Sequence, residues 1–94
     1  MSCDIFSNGT DKNEGCNGGD MGLAMQYVHI KGLETEEEYP YEGVDSKCKY
    51  DPDKSKKNKI DGRDYIKKLD PNALLSAILV GPVSIAIEAD TLVF

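Results

Sequence analysis

The stretch "GCNGGDMGLAMQYV", residues 15–28, sets a cysteine against two glycines and starts an apolar helix pattern directly after them. Met21, Ala24, Met25 and Val28 recur at helical spacing, and Leu23, Tyr27 and Ile30 fill an adjacent stripe. Asp20 suits the N-cap and Gly32 the position just past the end. With apolar residues on so many sides, this helix is expected to be largely buried. The glycine pair ahead of it makes a corner without Cβ atoms, which another backbone can approach closely. The visitor is a substrate, a partner or the chain itself, and the flanking sequence narrows that choice.

Upstream, residues 1–19 scatter Gly9, Gly15, Gly18 and Gly19 among Ser, Asn and Asp and read as irregular loop. Downstream, Thr35 and Glu38 have capping-box spacing, and Pro40 limits that segment to one helical turn. Residues 41–59 read as loop. Arg63 to Leu69 alternates, which predicts a strand with Tyr65 and Leu69 inward. The clearest local signal lies at 70–82. Asp70 caps, Pro71 suits the first helical position, "NALLSAILV" forms a short apolar helix, and Gly81 offers a left-handed exit before Pro82. Val83, Ile85 and Ile87 then alternate with Ser84, Ala86 and Glu88, predicting a half-buried strand. Its ladder partners must come from residues 60–69 or from outside the chain. The fold class is α+β.

Ninety-four residues allow one small domain whose modest core would profit from staples. The net charge of −6 argues against a nucleic-acid partner. Glu36 to Glu38, and the run Lys54, Lys56, Lys57 and Lys59, read as solvated faces. No apolar run has the length for a membrane span, and the amino terminus carries no signal-peptide pattern. Any targeting segment is therefore expected outside this chain. Three cysteines is an odd number, so in an oxidising compartment one lacks a partner. Asn8-Gly9-Thr10 fits the N-glycosylation pattern. Both features lean toward a secretory or lysosomal setting, with a reduced protein carrying incidental thiols as the alternative.

The residues alone reveal no reaction centre. Cys16 lies near a helix amino terminus, where a thiol pKa falls. A cysteine nucleophile also needs a base. The single histidine, His29, sits about 13 Å of helix rise beyond Asp20. A disulfide or structural thiol is the simpler reading of Cys16, and a surface or groove residue that of His29. Cys3, Cys16, Cys48 and His29 have zinc-ligand chemistry but lack the paired short spacings of zinc motifs, so no metal site is expected. No carboxylate pair stands out, and no phosphate-cradling glycine loop is present, so no cofactor is expected either.

Taken in order, "GCNGG" with its following helix, "GLETEEEYPYEG", "CKYDP" and "GPVSIAIEA" resemble the papain-like cysteine proteases of the cathepsin-L-like group. The resemblance runs over almost the whole chain and corresponds to the middle of that family's mature domain. It implies a partial two-lobe fold, a single incomplete peptidase domain. Residues 1–55 would belong to the helical lobe and residues 56–94 to the β-barrel lobe. The family's nucleophile segment would lie upstream, and its catalytic His and Asn downstream. This chain would then hold no catalytic residue and be inactive alone. In the family, the backbone of the second glycine pairs with an extended substrate. That role falls on Gly19, with Gly18 allowing close approach. Asp20 and Met21 would wall the pocket for the substrate's second residue upstream of the cut, and Ala86 would line it. Cys3 would pair with Cys48, and Cys16 with a cysteine outside this chain. "FSNGTDK", residues 6–12, looks like a surface insertion carrying the Asn8 sequon.

Alone, such a fragment would expose faces meant for missing segments, with Met25, Tyr27, Val83 and Ile85 among them. The expected partners are a peptide or protein substrate, once companion segments complete the domain. The expected setting is lysosomal or secreted. A competing reading is a non-catalytic pseudo-peptidase acting as an interaction module in a larger assembly. An inhibitor-like protein has less support, because these motifs belong to the mature domain.

Overall fold

The computed structural model describes residues 2–92 and divides into two units, Met1–Arg63 and Asp64–Phe94. The first unit is built around helix α1, Met21–Lys31. Asp20 starts α1, its carboxylate accepting from the Leu23 amide at 2.9 Å. That bond satisfies one of the donors every helix leaves open at its first turn. Gly32 ends the helix in the left-handed region, φ 77°, and its N–H reaches the Val28 carbonyl at 2.9 Å.

One face of α1 is covered. Leu23 and Tyr27 are each 3% exposed, and the Phe6 ring meets Tyr27 edge-on with centroids 5.7 Å apart. The expectation of a largely buried helix fails, because Met21, Met25 and Ile30 all lie open. Loops supply a single layer against α1, and one layer covers one stripe. Tyr27, expected on an open face, belongs instead to the core, whereas Met25 and Ile85 are exposed and Val83 is half-buried.

The loops are tied by polar contacts. Residues 6–13 make a small hairpin with one antiparallel bridge, Ser7 to Lys12, and a bond from the Asn13 amide to the Phe6 carbonyl at 3.0 Å. Leu33 and Asn58 pair through backbone and side chain, at 3.2 and 2.9 Å. Tyr50 donates to the Lys31 carbonyl, and the Asp51 amide donates to Glu34 at 2.7 Å. Asp51 caps the one-turn helix α2, Pro52–Ser55. Cys3 and Cys48 are joined by a disulfide with Cα atoms 4.8 Å apart, closing a separation of 45 residues. At Thr35 the capping box forms in full, the Thr35 amide and Glu38 carboxylate meeting at 3.1 Å and the Glu38 amide reaching Thr35 Oγ1 at 3.3 Å. The Thr35 amide and hydroxyl, both donating to Glu38 Oε1, hold the Glu38 carboxyl below its usual pKa.

The second unit holds helix α3, Pro71–Val80, started by Asp70, which accepts from the Ala73 amide at 3.0 Å. Gly81 leaves the helix in extended backbone, φ 172°, so the expected left-handed exit does not occur. Neither predicted strand forms among the described residues. The segment 82–90 has no secondary-structure partner, and 63–69 ends in a turn where Leu69 takes φ 57°. A strand exists only as part of a ladder, and the alternating pattern of 83–87 meets no second edge here. The turn also breaks the alternation, leaving Tyr65 77% and Leu69 fully exposed rather than inward.

Removing the disulfide by Cys48→Ala, read by urea unfolding, is expected to cost about 4 kcal/mol for a closed loop of this length. A second expectation concerns Tyr27. Burial, with the neighbouring Tyr50 and Asp4, pushes its hydroxyl up to about 12 from an ordinary 10. A raised folded-state pKa gives stability present below pH 10 and lost as pH rises toward 12. In a near-ultraviolet titration, one of the five tyrosines should therefore ionise late, together with alkaline unfolding. Five tyrosines titrating together would refute this.

Candidate functional site

Gly18 and Gly19 sit exposed at the turn into α1. Residues Gly15–Asn17 form a single 3-10 turn, closed by the Glu14 amide donating to the Gly18 carbonyl at 2.9 Å. Gly18 takes φ 111°, a region L side chains avoid, and nothing stands within 4 Å of where its Cβ would be. Gly19 is glycine for a different reason: a Cβ there would run into the side-chain oxygen of Asn13. Among the described residues, no group hydrogen-bonds the Gly19 N–H or carbonyl. The corner therefore presents one residue with both backbone polar atoms open to a visitor.

Asp20 is half-buried, and its functional groups are already engaged. One carboxylate oxygen caps Leu23, and its amide donates to Asn13 Oδ1 at 2.8 Å. Met21 is 41% exposed beside it. Thus Gly18, Gly19, Asp20 and Met21 lie together at one corner of the first unit. Ala86 lies exposed in the irregular segment of the second unit.

Cys16 is exposed and unbridged. Its amide donates to Asp45 Oδ1 at 2.7 Å, which places a carboxylate next to the thiol. A hydrogen bond to Asp45, with slight desolvation and the Asp45 charge, pushes the thiol pKa above its ordinary value. The effect is opposite to that of a nucleophile. His29 Nδ1 donates to the Ile60 carbonyl at 2.7 Å. Asn8 stands at the exposed hairpin tip, where its side-chain oxygen accepts from the Thr10 and Asp11 amides at 3.0 and 2.7 Å. The residues that sequence reasoning passed over are Asp4, Asn13 and Asp45. Their signal was weak, being short polar side chains in loops rich in such residues.

Comparison with known proteins gives a consistent result. The model of the papain family of cysteine proteases matches residues 1–94. The chain is 46% identical over 81 residues to a KDEL-tailed cysteine endopeptidase of Arabidopsis thaliana, covering 85% of this chain and 22% of that protein. Vignain of Ricinus communis is 42% identical over 81 residues, with 85% and 22% covered. Cathepsin L2 of Homo sapiens is 46% identical over 79 residues, with 82% and 23% covered. The chain thus spans about a fifth of the length of these curated relatives. No solved structure matches it.

The Asp45 contact carries a prediction for alkylation kinetics. Cys16 should react with iodoacetamide more slowly than an unperturbed exposed thiol at neutral pH, and Asp45→Asn should accelerate it. A rate that climbs only at pH above the ordinary thiol value would agree; an already fast neutral reaction would not.

Proposed function

The chain belongs to the papain family of cysteine proteases, and we propose that it supplies the substrate-binding corner of such an endopeptidase but none of its catalytic groups. The observation that carries this reading is the Gly19 backbone, exposed and without a partner among the described residues, at a Cβ-free corner. An extended peptide can align there like an added strand, donating to and accepting from one residue. Gly18 keeps the approach clear. Met21 offers the apolar wall for the substrate side chain, while the Asp20 carboxylate is turned to its own helix.

No candidate nucleophile fits among the described residues. Asp45 pushes the Cys16 thiol pKa up, and among the described residues no hydrogen bond joins Cys16 to His29. In this reading the thiolate, its imidazole partner and the third polar group come from other segments of the domain. Residues 1–55 form part of the helical lobe and residues 56–94 part of the β-barrel lobe. The alternating run at 83–87 then finds its ladder on segments supplied from outside. Cys16 pairs with a cysteine beyond this chain, and Asn8 carries a glycan on the hairpin insertion. An oxidising compartment, lysosomal or secreted, suits the Cys3–Cys48 bridge. A second reading, a non-catalytic module within an assembly, draws on the exposed apolar residues Leu75, Ile78, Leu79, Ile85 and Ile87.

Intact mass of native material, without and with reduction, separates the two when combined with an active-site thiol epoxide. A companion chain released from Cys16 and bearing the label supports the endopeptidase. A lone, unlabelled chain of 10.3 kDa with Cys16 free leaves the module. In the completed enzyme, Gly19→Ala should lower kcat/KM for peptides by roughly tenfold or more, since a methyl would displace the corner.

A further inference from the structure

Asp4 is a buried carboxylate, only 2% exposed, in a unit whose apolar core is small. Its two oxygens are both used: Oδ1 accepts from the Phe6 amide at 3.0 Å, and Oδ2 accepts from Asn13 Nδ2 at 2.6 Å. A carboxylate can only accept, so it settles which way round the Asn13 amide stands. With Nδ2 turned to Asp4, Oδ1 must face the other way. There it accepts from the Asp20 amide and lies against Gly19. The Asp20 carboxylate continues the series onto the Leu23 amide. One chain of polar contacts thus runs from the Cys3 end of the unit to the first turn of α1.

We propose that Asn13, oriented by Asp4, is the positioning residue of the Gly18–Gly19 corner. The proposal rests on the reading of Gly19 as a peptide-binding ledge, but its physical core is local. Asn13 Oδ1 holds the Asp20 N–H, so the peptide between Gly19 and Asp20 has one orientation. The Gly19 carbonyl, in that same trans peptide, points away from Asn13, while the Gly19 N–H belongs to the preceding peptide, whose Gly18 carbonyl accepts from the Glu14 amide. A side chain without that oxygen would let the peptide rotate, and two flexible glycines would no longer present a fixed pair of polar atoms. Asn13 itself touches no substrate.

The polarity of the contact can be inverted, which gives a rescue test. Asn13→Asp sets two carboxylates face to face and removes the donor. Adding Asp4→Asn restores it. The amide introduced at position 4 donates to the carboxylate introduced at position 13, and its oxygen still accepts from Phe6. The second oxygen of that new carboxylate stays with the Asp20 amide. The isotopically labelled 94-residue chain, disulfide intact, is followed by amide hydrogen exchange in the native protein, the two single variants and the double variant. Expected is roughly tenfold faster exchange at Asp20 and Leu23 in Asn13→Asp, with recovery to within about twofold in the double variant. The Ala24 to Val28 amides should change little, which separates a loosened corner from a loosened fold. Equal exchange in all four proteins, or no recovery in the double variant, overturns the proposal.

A parallel titration with an acetyl-capped tripeptide amide reads the Gly19 resonance. A shift in the native protein that disappears in Asn13→Asp and returns in the double variant supports the positioning role fully. A Gly19 resonance that ignores the peptide, with exchange behaving as expected, defeats the ledge reading while supporting Asn13 as the determinant of corner geometry.

Discussion

The bond from Asn13 Nδ2 to the buried Asp4 carboxylate, 2.6 Å long, is the contact on which the first unit's arrangement turns. A buried carboxylate without donors would destabilise this small unit strongly. Here it gathers a backbone amide and a side-chain amide, and the second of these connects the hairpin to the start of α1. The Phe6 ring, next to one of those donors, rests on Tyr27 of the same helix. Polar satisfaction and apolar burial therefore fix one geometry between the amino-terminal loop and α1. Neither would suffice alone, because two buried apolar side chains make a thin core and loops have high conformational entropy.

The remaining ties follow the same logic. Residues 32–60 contain almost no regular structure, yet backbone groups there are paired through Glu34, Tyr39 and Asn58, Tyr50 ties the segment to the Lys31 carbonyl of α1, and Cys48 crosslinks it. Tyr39 accepts from the Lys49 amide one residue beyond the bridge, which places the disulfide and the "YPYEG" segment in one cluster. Surface ion pairs such as Lys49–Glu42 add little in comparison, since both side chains are solvated. A small unit with few apolar contacts gains most from a covalent closure and from polar groups that leave no orphan.

The second unit has the opposite character. Helix α3 is capped correctly and is made almost wholly of apolar residues, yet Leu75, Ile78, Leu79 and Val80 are all exposed. Local signals are satisfied there while tertiary ones are not. Its capping groups are satisfied, while the apolar side chains named above lie open. The run after Gly81 keeps its period-two sequence pattern but has no assigned secondary structure over residues 82–90.

What the residues determined by themselves is local. Asp20, Asp70 and Gly32 marked their helix ends because capping depends on a side chain and the three or four residues beside it. The Thr35–Glu38 box was legible for the same reason, and the ordered motifs identified the family. Tertiary structure decided the rest. Which stripe of α1 is covered depended on how many layers the chain can lay against it. The strands at 63–69 and 83–87 failed because a ladder needs a second edge, which period alone cannot supply. The partnering of Asp4, Asn13 and Asp20 spans residues 4 to 20 through a turn, and no spacing rule for helix or strand encodes it. Only the folded loop brings a carboxylate that must accept against an amide that can face either way.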